Sequence, residues 1–236
     1  VIVVLVEFSD KRLAAGRNRV REAPLPARPG LLILTDAVRR SQVVKKNAGA
    51  SLVDLGDGVL AVEFHSKMNA IGGDTLAMLQ AGVKEAAKNH RALVVGNDAA
   101  TFSAGANLML VLLEAQEGNF DELELMVRQF QQTMMLLRYS EVPVVVFVSP
   151  RGATAGSAGT LITLAGHAAA MAPESVIGAA SPVGGQGEDL DSTLETKLKE
   201  DLKAHVRALA AQRPPAAVAL AEAMIEEATA VTGAEA

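Results

Sequence analysis

The chain has 236 residues, half of them hydrophobic, with six Phe, one Tyr, no Trp and no Cys. This composition suits a core of small and branched aliphatic side chains in α/β layers and argues against an aromatic-rich β-sandwich. The formal net charge of −5 leaves no basic footprint, so no nucleic-acid partner is expected. The lack of cysteine excludes a thiol nucleophile, and the histidines show no metal-ligand spacing, so no metal site is predicted.

The first 30 residues are predicted to form an N-terminal extension. Residues 10–30 are basic and rich in proline, which is typical of a linker. The remaining residues, 31–236, are predicted to form a single domain. Because the chain begins with Val1, we expect it to be a fragment or a processed product.

Strands and helices alternate along the chain, which predicts an α/β fold with a mostly parallel sheet. The first half contains, in order, a hairpin of strands 51–55 and 59–64 around Gly56-Asp57-Gly58, a helix over 75–90, a strand over 92–95, a loop over 102–107, and helices from 108 and over 120–139. The second half contains a strand over 142–148, a helix over 153–166, a strand over 168–171, a Gly/Pro-rich loop over 178–187, and helices over 191–212 and 216–228.

Residues 153–172 carry no formal charge over a length close to that of a membrane span. Frequent Gly and Thr, together with His167, favour instead a buried helix followed by a strand.

Ser157 is the residue that most suggests chemistry. It lies among Gly and Ala where a strand passes into a helix, so a substrate backbone could approach and helix amides could stabilise an oxyanion. Close helix packing that tolerates only small residues explains the same pattern. Composition alone does not require a nucleophile here.

Residues 31–148 resemble the crotonase-type, enoyl-CoA hydratase-like module of bacterial fused acyl-CoA enzymes that also carry a 3-hydroxyacyl-CoA dehydrogenase. The strings that carry this resemblance are GDGV at 56–59, EFHSKMNA at 63–70 and FSAGANL at 102–108. The last string is similar to the crotonase oxyanion loop. The resemblance implies that the Ala106 amide donates to a thioester oxygen.

Residues 143–236 resemble the catalytic domain of NfeD-type, ClpP-class serine proteases of bacteria and archaea. The strings that carry this resemblance are PRGA at 150–153, AGSAGT at 155–160, MAP at 171–173, IGAA at 177–180 and PVG at 182–184. It implies a Ser157 nucleophile and a Lys197 general base. Both families share the ClpP/crotonase fold, a spiral of ββα units, so the chain is interpreted as a hybrid joined within residues 142–150. Such a joint arises by recombination, by engineering or by sequence assembly.

The hydratase chemistry lacks its acid and base in this sequence. A hydratase needs carboxylates in its second half to move protons. The family pattern, laid over residues 152–161, places Ser157 at the oxyanion glycine and Thr160 at a glutamate. The second carboxylate would fall near Ala180. Under the crotonase-type interpretation, the alternative that remains is binding of an acyl-CoA without turnover.

The protease chemistry has its principal parts. Ser157 supplies the hydroxyl, the Ala158 amide is the natural first oxyanion donor, and the loop with Gly105 and Ala106 would supply the second. Periodicity places Lys197 and Lys199 equally far from the apolar stripe of Leu190, Leu194, Leu198, Leu202, Val206 and Leu209. The resemblance selects Lys197.

The predicted function is therefore a serine endopeptidase with a Ser157/Lys197 dyad that needs no cofactor and acts on extended apolar peptides. The resemblance implies substrates such as the apolar tail of a membrane-associated protein, a homo-oligomer, and a soluble domain of bacterial type whose full-length relatives are membrane-associated. The alternatives are a crotonase-like module that takes a coenzyme A thioester as ligand, and a non-catalytic scaffold.

Overall fold

A computed structural model describes residues 42–182 and 192–236 of the protein. The predicted N-terminal extension and residues 183–187 of the predicted Gly/Pro-rich loop lie outside the described residues. The strands are β1 Val43–Lys46, β2 Ala50–Gly56, β3 Val59–Phe64, β4 Ala92–Gly96, β5 Val144–Val148, β6 Thr154–Gly156, β7 Ala168–Met171, β8 Val176–Gly178 and β9 Ala230–Thr232. The helices are α1 Gly73–Asn89, α2 Leu108–Glu117, α3 Phe120–Arg138, α4 Ala158–Ala165, α5 Ser192–Ala210 and α6 Pro215–Glu226.

The strands form two sheets. The larger sheet has the order β1-β2-β3-β4-β5-β7, in which β1 to β3 are antiparallel and β3, β4, β5 and β7 run parallel. In the smaller sheet, β8 pairs in parallel with β6 and antiparallel with β9. The predicted α/β fold with a mostly parallel sheet is confirmed.

The hairpin between β2 and β3 forms where the turn residues predict it. Asp57 and Gly58 have φ values of 51° and 73°. Two successive left-handed residues make the tight turn whose twist matches the strands on either side. The turn fixes a register that pairs Leu52 with Val62. Both side chains then lie in the core, at 1% and 0% exposure.

Helix α1 buries the face that its periodicity predicts. Leu76, Leu79, Val83 and Ala86 recur at spacings of three and four residues, and all are buried. They join a continuous cluster of buried side chains that also includes residues of β5, α4 and α6. Both family-like segments of the sequence therefore contribute to the same core.

The predicted helix over 153–166 begins too early. Residues Thr154–Gly156 form β6, paired with Val176–Gly178, and the helix starts only after Ser157. Three small residues carry no periodic pattern, and their conformation is decided by a partner strand about 20 residues away. The remainder of the segment is a buried helix followed by β7, as expected. Among the described residues, no helix is long and apolar enough to cross a membrane.

The apolar stripe predicted along α5 is buried only at its C-terminal end. Val206 and Leu209 are 0% and 3% exposed, whereas Leu198 is 37% exposed. Leu190 lies outside the described residues. The first half of α5, which carries Lys197, therefore packs less closely on the core than its second half.

Candidate active site

Ser157 occupies a sharp turn between β6 and α4, and its side chain is exposed. Its φ of 49° and ψ of −116° are uncommon for a residue with a side chain. The Ser157 N–H donates to the Gly178 carbonyl at 3.1 Å, which ties the turn to β8. A strained strand-to-helix turn of this kind presents a serine hydroxyl outward above the first amides of a helix.

The loop over 102–107 is held on both of its sides by backbone hydrogen bonds. On one side, Ser103 N–H donates to the Thr154 carbonyl at 3.1 Å, and Gly156 N–H donates to the Ser103 carbonyl at 3.0 Å. On the other side, the Ile71 N–H donates to the Gly105 carbonyl at 2.8 Å, and the Asn107 N–H donates to the Ile71 carbonyl at 2.9 Å. The loop is therefore fixed against β6, the strand that leads into Ser157.

Gly105 lies directly against the serine. A Cβ atom placed on Gly105 would lie 2.9 Å from Ser157 Cβ and 3.3 Å from its Oγ. The φ of Gly105 is +111°, a conformation that glycine adopts without strain. Both the space and the backbone conformation require glycine here, so the structure brings the predicted residues Gly105 and Ser157 together.

Two backbone amides, those of the residues that follow Ser157 and Gly105 in the chain, have no acceptor among the described residues. Ala158 is the first residue of α4, where a helix leaves its N–H without an internal partner. The Ala106 N–H faces away from Ile71 in the bridge between these two residues. The Gly105 N–H instead donates to Ser103 Oγ at 3.1 Å. Ala158 and Ala106 thus keep free donors, whereas Gly105 supplies the close approach.

Thr160 ties α4 to β6 and β8, two of the three strands of the smaller sheet. Its hydroxyl oxygen lies 3.0 Å from the carbonyl oxygens of Ala155 and Gly178 and accepts the Gly178 N–H at 3.2 Å. Neither partner lies within α4, and Gly178 is 18 residues away along the chain. At the place where a hydratase would have a glutamate, this chain has a buried structural threonine.

The two candidate lysines on α5 have different surroundings. Lys199 Nζ lies 2.7 Å from a Glu195 oxygen and 4.0 Å from a Glu226 oxygen. The hydrogen bond to Glu195 raises the pKa of Lys199, which makes it a poor base. Lys197 is exposed, and no ion pair or hydrogen bond within the described residues holds it. No hydrogen bond joins Lys197 to Ser157 in this part of the chain.

Sequence reasoning assigned no role to two groups near the candidate site, Ser103 and Glu63. Ser103 is fully buried, and its hydroxyl orients the loop by accepting the Gly105 N–H. In the sequence, its position two residues before the glycine could have identified it. Glu63 ends the apolar run of β3, next to Gly96 of β4. Burial, and secondarily the negative charge of Asp98, raise the pKa of Glu63 to about 7, while Lys46 lowers it. In the sequence, a charged residue within a predominantly apolar strand could have identified Glu63.

His167 does not form part of a catalytic triad. Its Nδ1 accepts the Val144 N–H at 2.9 Å, which fastens β5 to the segment that follows α4. In the described ranges, no three or more His, Asp or Glu side chains converge to hold a metal ion.

The curated proteins related to this chain fall into two kinds. A protein of Bacillus subtilis named "probable 3-hydroxyacyl-CoA dehydrogenase" is 49% identical over 114 residues, which is 48% of this chain and 14% of that protein. The membrane-bound protease PH1510 of Pyrococcus horikoshii is 35% identical over 107 residues, which is 44% of this chain and 22% of that protein. The chain spans less than a quarter of the length of either relative. No protein-family model matches it.

Solved structures show the same two likenesses. A complex of an alanine variant of the 1510-N membrane-bound stomatin-specific protease with a substrate peptide has a TM-score of 0.51, with 22% identity, over 70% of this chain and 66% of that one. An enoyl-CoA hydratase from Polaromonas sp. JS666 has a TM-score of 0.58, with 18% identity, over 79% of this chain and 66% of that one. The fold is the ClpP/crotonase-like fold of these structures. The prediction that the chain combines sequence related to both kinds of protein is confirmed.

Proposed function

We propose that the protein is a serine endopeptidase in which Ser157 is the nucleophile and Lys197 the general base. The observation that supports the proposal is an exposed Ser157 on a strained turn directly against Gly105. The amides of the residues that follow these two, Ala158 and Ala106, have no acceptor among the described residues. A lone buried serine in a helix would need neither the positive φ nor the pinned loop. The relationship to the membrane-bound protease PH1510 supports the same reaction class.

In the proposed reaction, Ser157 Oγ attacks the peptide carbonyl carbon while its proton passes to Lys197 Nζ. The Ala158 and Ala106 amides donate to the oxyanion of the tetrahedral intermediate. Lys197 returns the proton to the leaving amine as the C–N bond breaks, and water then hydrolyses the acyl-serine by the reverse roles. No metal and no cofactor take part.

Lys197 acts as a base only when it loses its proton, which requires removal from water. Its exposed position means that a bound peptide must cover it. Leu198, next to it, is 37% exposed, and Met109 and Leu113 on α2, just beyond the loop, are 75% and 48% exposed. These apolar surfaces favour an extended apolar peptide, and a membrane-associated protein's tail fits that description. We include a homo-oligomeric state in the proposal, and light scattering tests it.

A fluorophosphonate probe tests the dyad. We expect stoichiometric labelling of the protein, complete loss in Ser157→Ala, and a roughly 100-fold slower rate in Lys197→Met, since a positioned base contributes about that factor or more. Lys199→Met is the matched control because its amine is paired with Glu195, and it should label within about threefold of the original chain. Labelling that survives Ser157→Ala, or equal loss in both lysine variants, would contradict the dyad.

The second candidate is a crotonase-like module that binds an acyl-CoA. The free Ala106 amide on a pinned loop favours it, together with the 49% identity to the dehydrogenase-type relative. In this case an acyl-CoA should bind saturably, and Gly105→Ala should weaken binding while Ser157→Ala leaves it unchanged. Labelling of Ser157 without acyl-CoA binding would exclude this candidate and keep the peptidase.

A further inference from the structure

Helix α2 is apolar, yet none of its residues is buried. Among the described residues, eleven large hydrophobic side chains are exposed, and seven of them lie on α2 and the start of α3: Leu108, Met109, Leu110, Leu113, Phe120, Leu125 and Val127. We call residues 108–127 the α2–α3 surface. Exposed apolar side chains concentrated in this way mark an interaction site.

The α2–α3 surface is also strongly acidic. At 100° per residue, Glu117 lies between Leu113 and Leu110 on one face of α2. The next basic residue after the surface, Arg128, is paired with Glu124. The surface itself has no basic residue and five acidic ones, namely Glu114, Glu117, Asp121, Glu122 and Glu124. A matching occupant therefore combines apolar contacts with positive charge.

Three kinds of occupant differ in how well they match this charge. A second copy that presents the same surface would bring acid against acid. An anionic membrane would repel the acidic side chains. Residues 10–30 of this chain, in contrast, carry six basic and two acidic side chains, with the apolar residues Leu13, Val20 and Leu25 between them. The charge of this segment is opposite to that of the α2–α3 surface.

Residues 31–41 are long enough to bring the basic segment to this surface. Strand β1 runs in the same direction as β4, so Gln42, just before β1, lies at the end of the sheet opposite the loop that leads into α2. Three strand spacings across the sheet and one strand of seven residues along it give a distance of about 28 Å. Eleven extended residues span about 36 Å, so the segment can reach the start of α2.

We propose that residues 10–30 bind the α2–α3 surface of the same chain. The arginines of the segment pair with the acidic side chains, and its apolar residues pack against those exposed on α2 and α3. The bound segment covers Met109 and Leu113, on the helix that follows the Gly105 loop. It would thus compete with the peptide of the proposed function, a consequence that rests on that function. The binding does not depend on Ser157 chemistry and is measured without it.

Charge reversal tests the binding in the full chain. We expect Glu114→Lys/Glu117→Lys to raise about tenfold the rate at which an arginine-specific protease cuts within residues 12–28, because cleavage follows the fraction of unbound segment. Both positions lie in the last turn of α2, where positive charge suits the helix. Glu141→Lys/Glu227→Lys changes the net charge equally, at exposed positions outside the surface, and should leave the rate unchanged. An unchanged rate in the first variant, or an equal rise in both, would overturn the proposal.

Disulfide trapping locates the bound segment, since the chain has no cysteine of its own. Leu13→Cys, Val20→Cys and Leu25→Cys are each combined with Leu113→Cys or, as the matched control, with Val44→Cys; Leu113 and Val44 are both 48% exposed.

We expect at least one of the three to join residue 113 at least about tenfold faster than residue 44, because binding raises the effective concentration. Chain connectivity alone favours residue 44, which is nearer along the chain. Equal or faster joining to residue 44 in all three cases would refute the proposal. Disulfides between two chains at residue 113 would assign the surface to a second copy and would also overturn it.

Discussion

The two sides of the candidate site are held in place to very different degrees. Ser157 and the loop at Gly105 are fixed by backbone hydrogen bonds to β6, β8 and Ile71. Lys197 stands on the half of α5 where even Leu198 is exposed. The proposed nucleophile and oxyanion donors are therefore held by the backbone, whereas the proposed base depends on what covers α5. Catalysis of this kind would be limited by burial of the lysine, not by assembly of the oxyanion site.

The largest effect should come from crowding the fixed side. Gly105→Ala places a Cβ atom against Ser157, and a displacement of the reacting group by about 1 Å costs on the order of 100-fold in rate. We expect fluorophosphonate labelling to slow by that factor. Gly118→Ala is the control, because Gly118 also has a positive φ but no atoms within 4 Å of the added Cβ. It should lose stability and keep the labelling rate; equal slowing in both would contradict the steric account.

Thr160→Val should come next, as a loss of stability. It removes the hydroxyl that joins Ala155 and Gly178 and leaves the Gly178 N–H without its acceptor. The expected decrease in the free energy of unfolding is about 1–3 kcal/mol, measured by urea denaturation. Thr163→Val is the matched control, since its hydroxyl bonds only to Gly159 within its own helix. Equal decreases in the free energy of unfolding for the two variants would show that the Thr160 hydroxyl contributes no more than a hydrogen bond within the helix.

The pH dependence of stability should reveal Glu63. Its pKa of about 7 in the folded chain exceeds the ordinary 4.5, so the folded state binds this proton more tightly than the unfolded state. Stability from this group is complete below pH 4.5 and is lost as pH rises towards 7, by about 1–2 kcal/mol after allowance for solvent screening. Glu63→Gln should remove that part of the decline. The exposed Glu122→Gln should preserve it, and an unchanged profile in Glu63→Gln would refute the assignment.

The smallest effect belongs to the exposed half of α5. Lys199→Gln removes the ion pair with Glu195, and such surface pairs contribute about 0–1 kcal/mol. The loss should shrink in 1 M NaCl. Lys197→Gln, which breaks no ion pair among the described residues, should cost less at low salt. A larger loss for Lys197 would mean that this lysine is held by the fold, and the contrast between the two sides would then fail.

Local signals in the sequence predicted much of the fold. The turn at Asp57-Gly58 and the spacing of apolar residues in α1 depend on neighbouring residues only, and both elements form where expected. Strand β6 could not be predicted in this way, because its three small residues become a strand only through pairing with β8.

The candidate site was predicted in its residues but not in its conformation. The motifs indicated Ser157 and the Gly105 loop, and the structure places them in contact. The positive φ of Ser157 depends on the meeting of β6, β8 and α4, which no local pattern encodes. The pairing of Lys199 with Glu195, four residues earlier on the same helix, is a local signal that separates Lys199 from Lys197. Only the weaker contact of Lys199 with Glu226 depends on the folded state.

The position of β5 helps to explain how segments similar to two kinds of protein can form one fold. This strand, mostly valine, is bonded in parallel to β4 from the first family-like segment and to β7 from the second. The hydrogen bonds between neighbouring strands join backbone atoms and so depend little on side-chain identity. Valine side chains, in turn, can pack against many different aliphatic neighbours. A crossover within such a strand exchanges whole modules while leaving both new interfaces generic. The junction predicted within residues 142–150 therefore falls on a strand whose packing depends little on the identity of its neighbours.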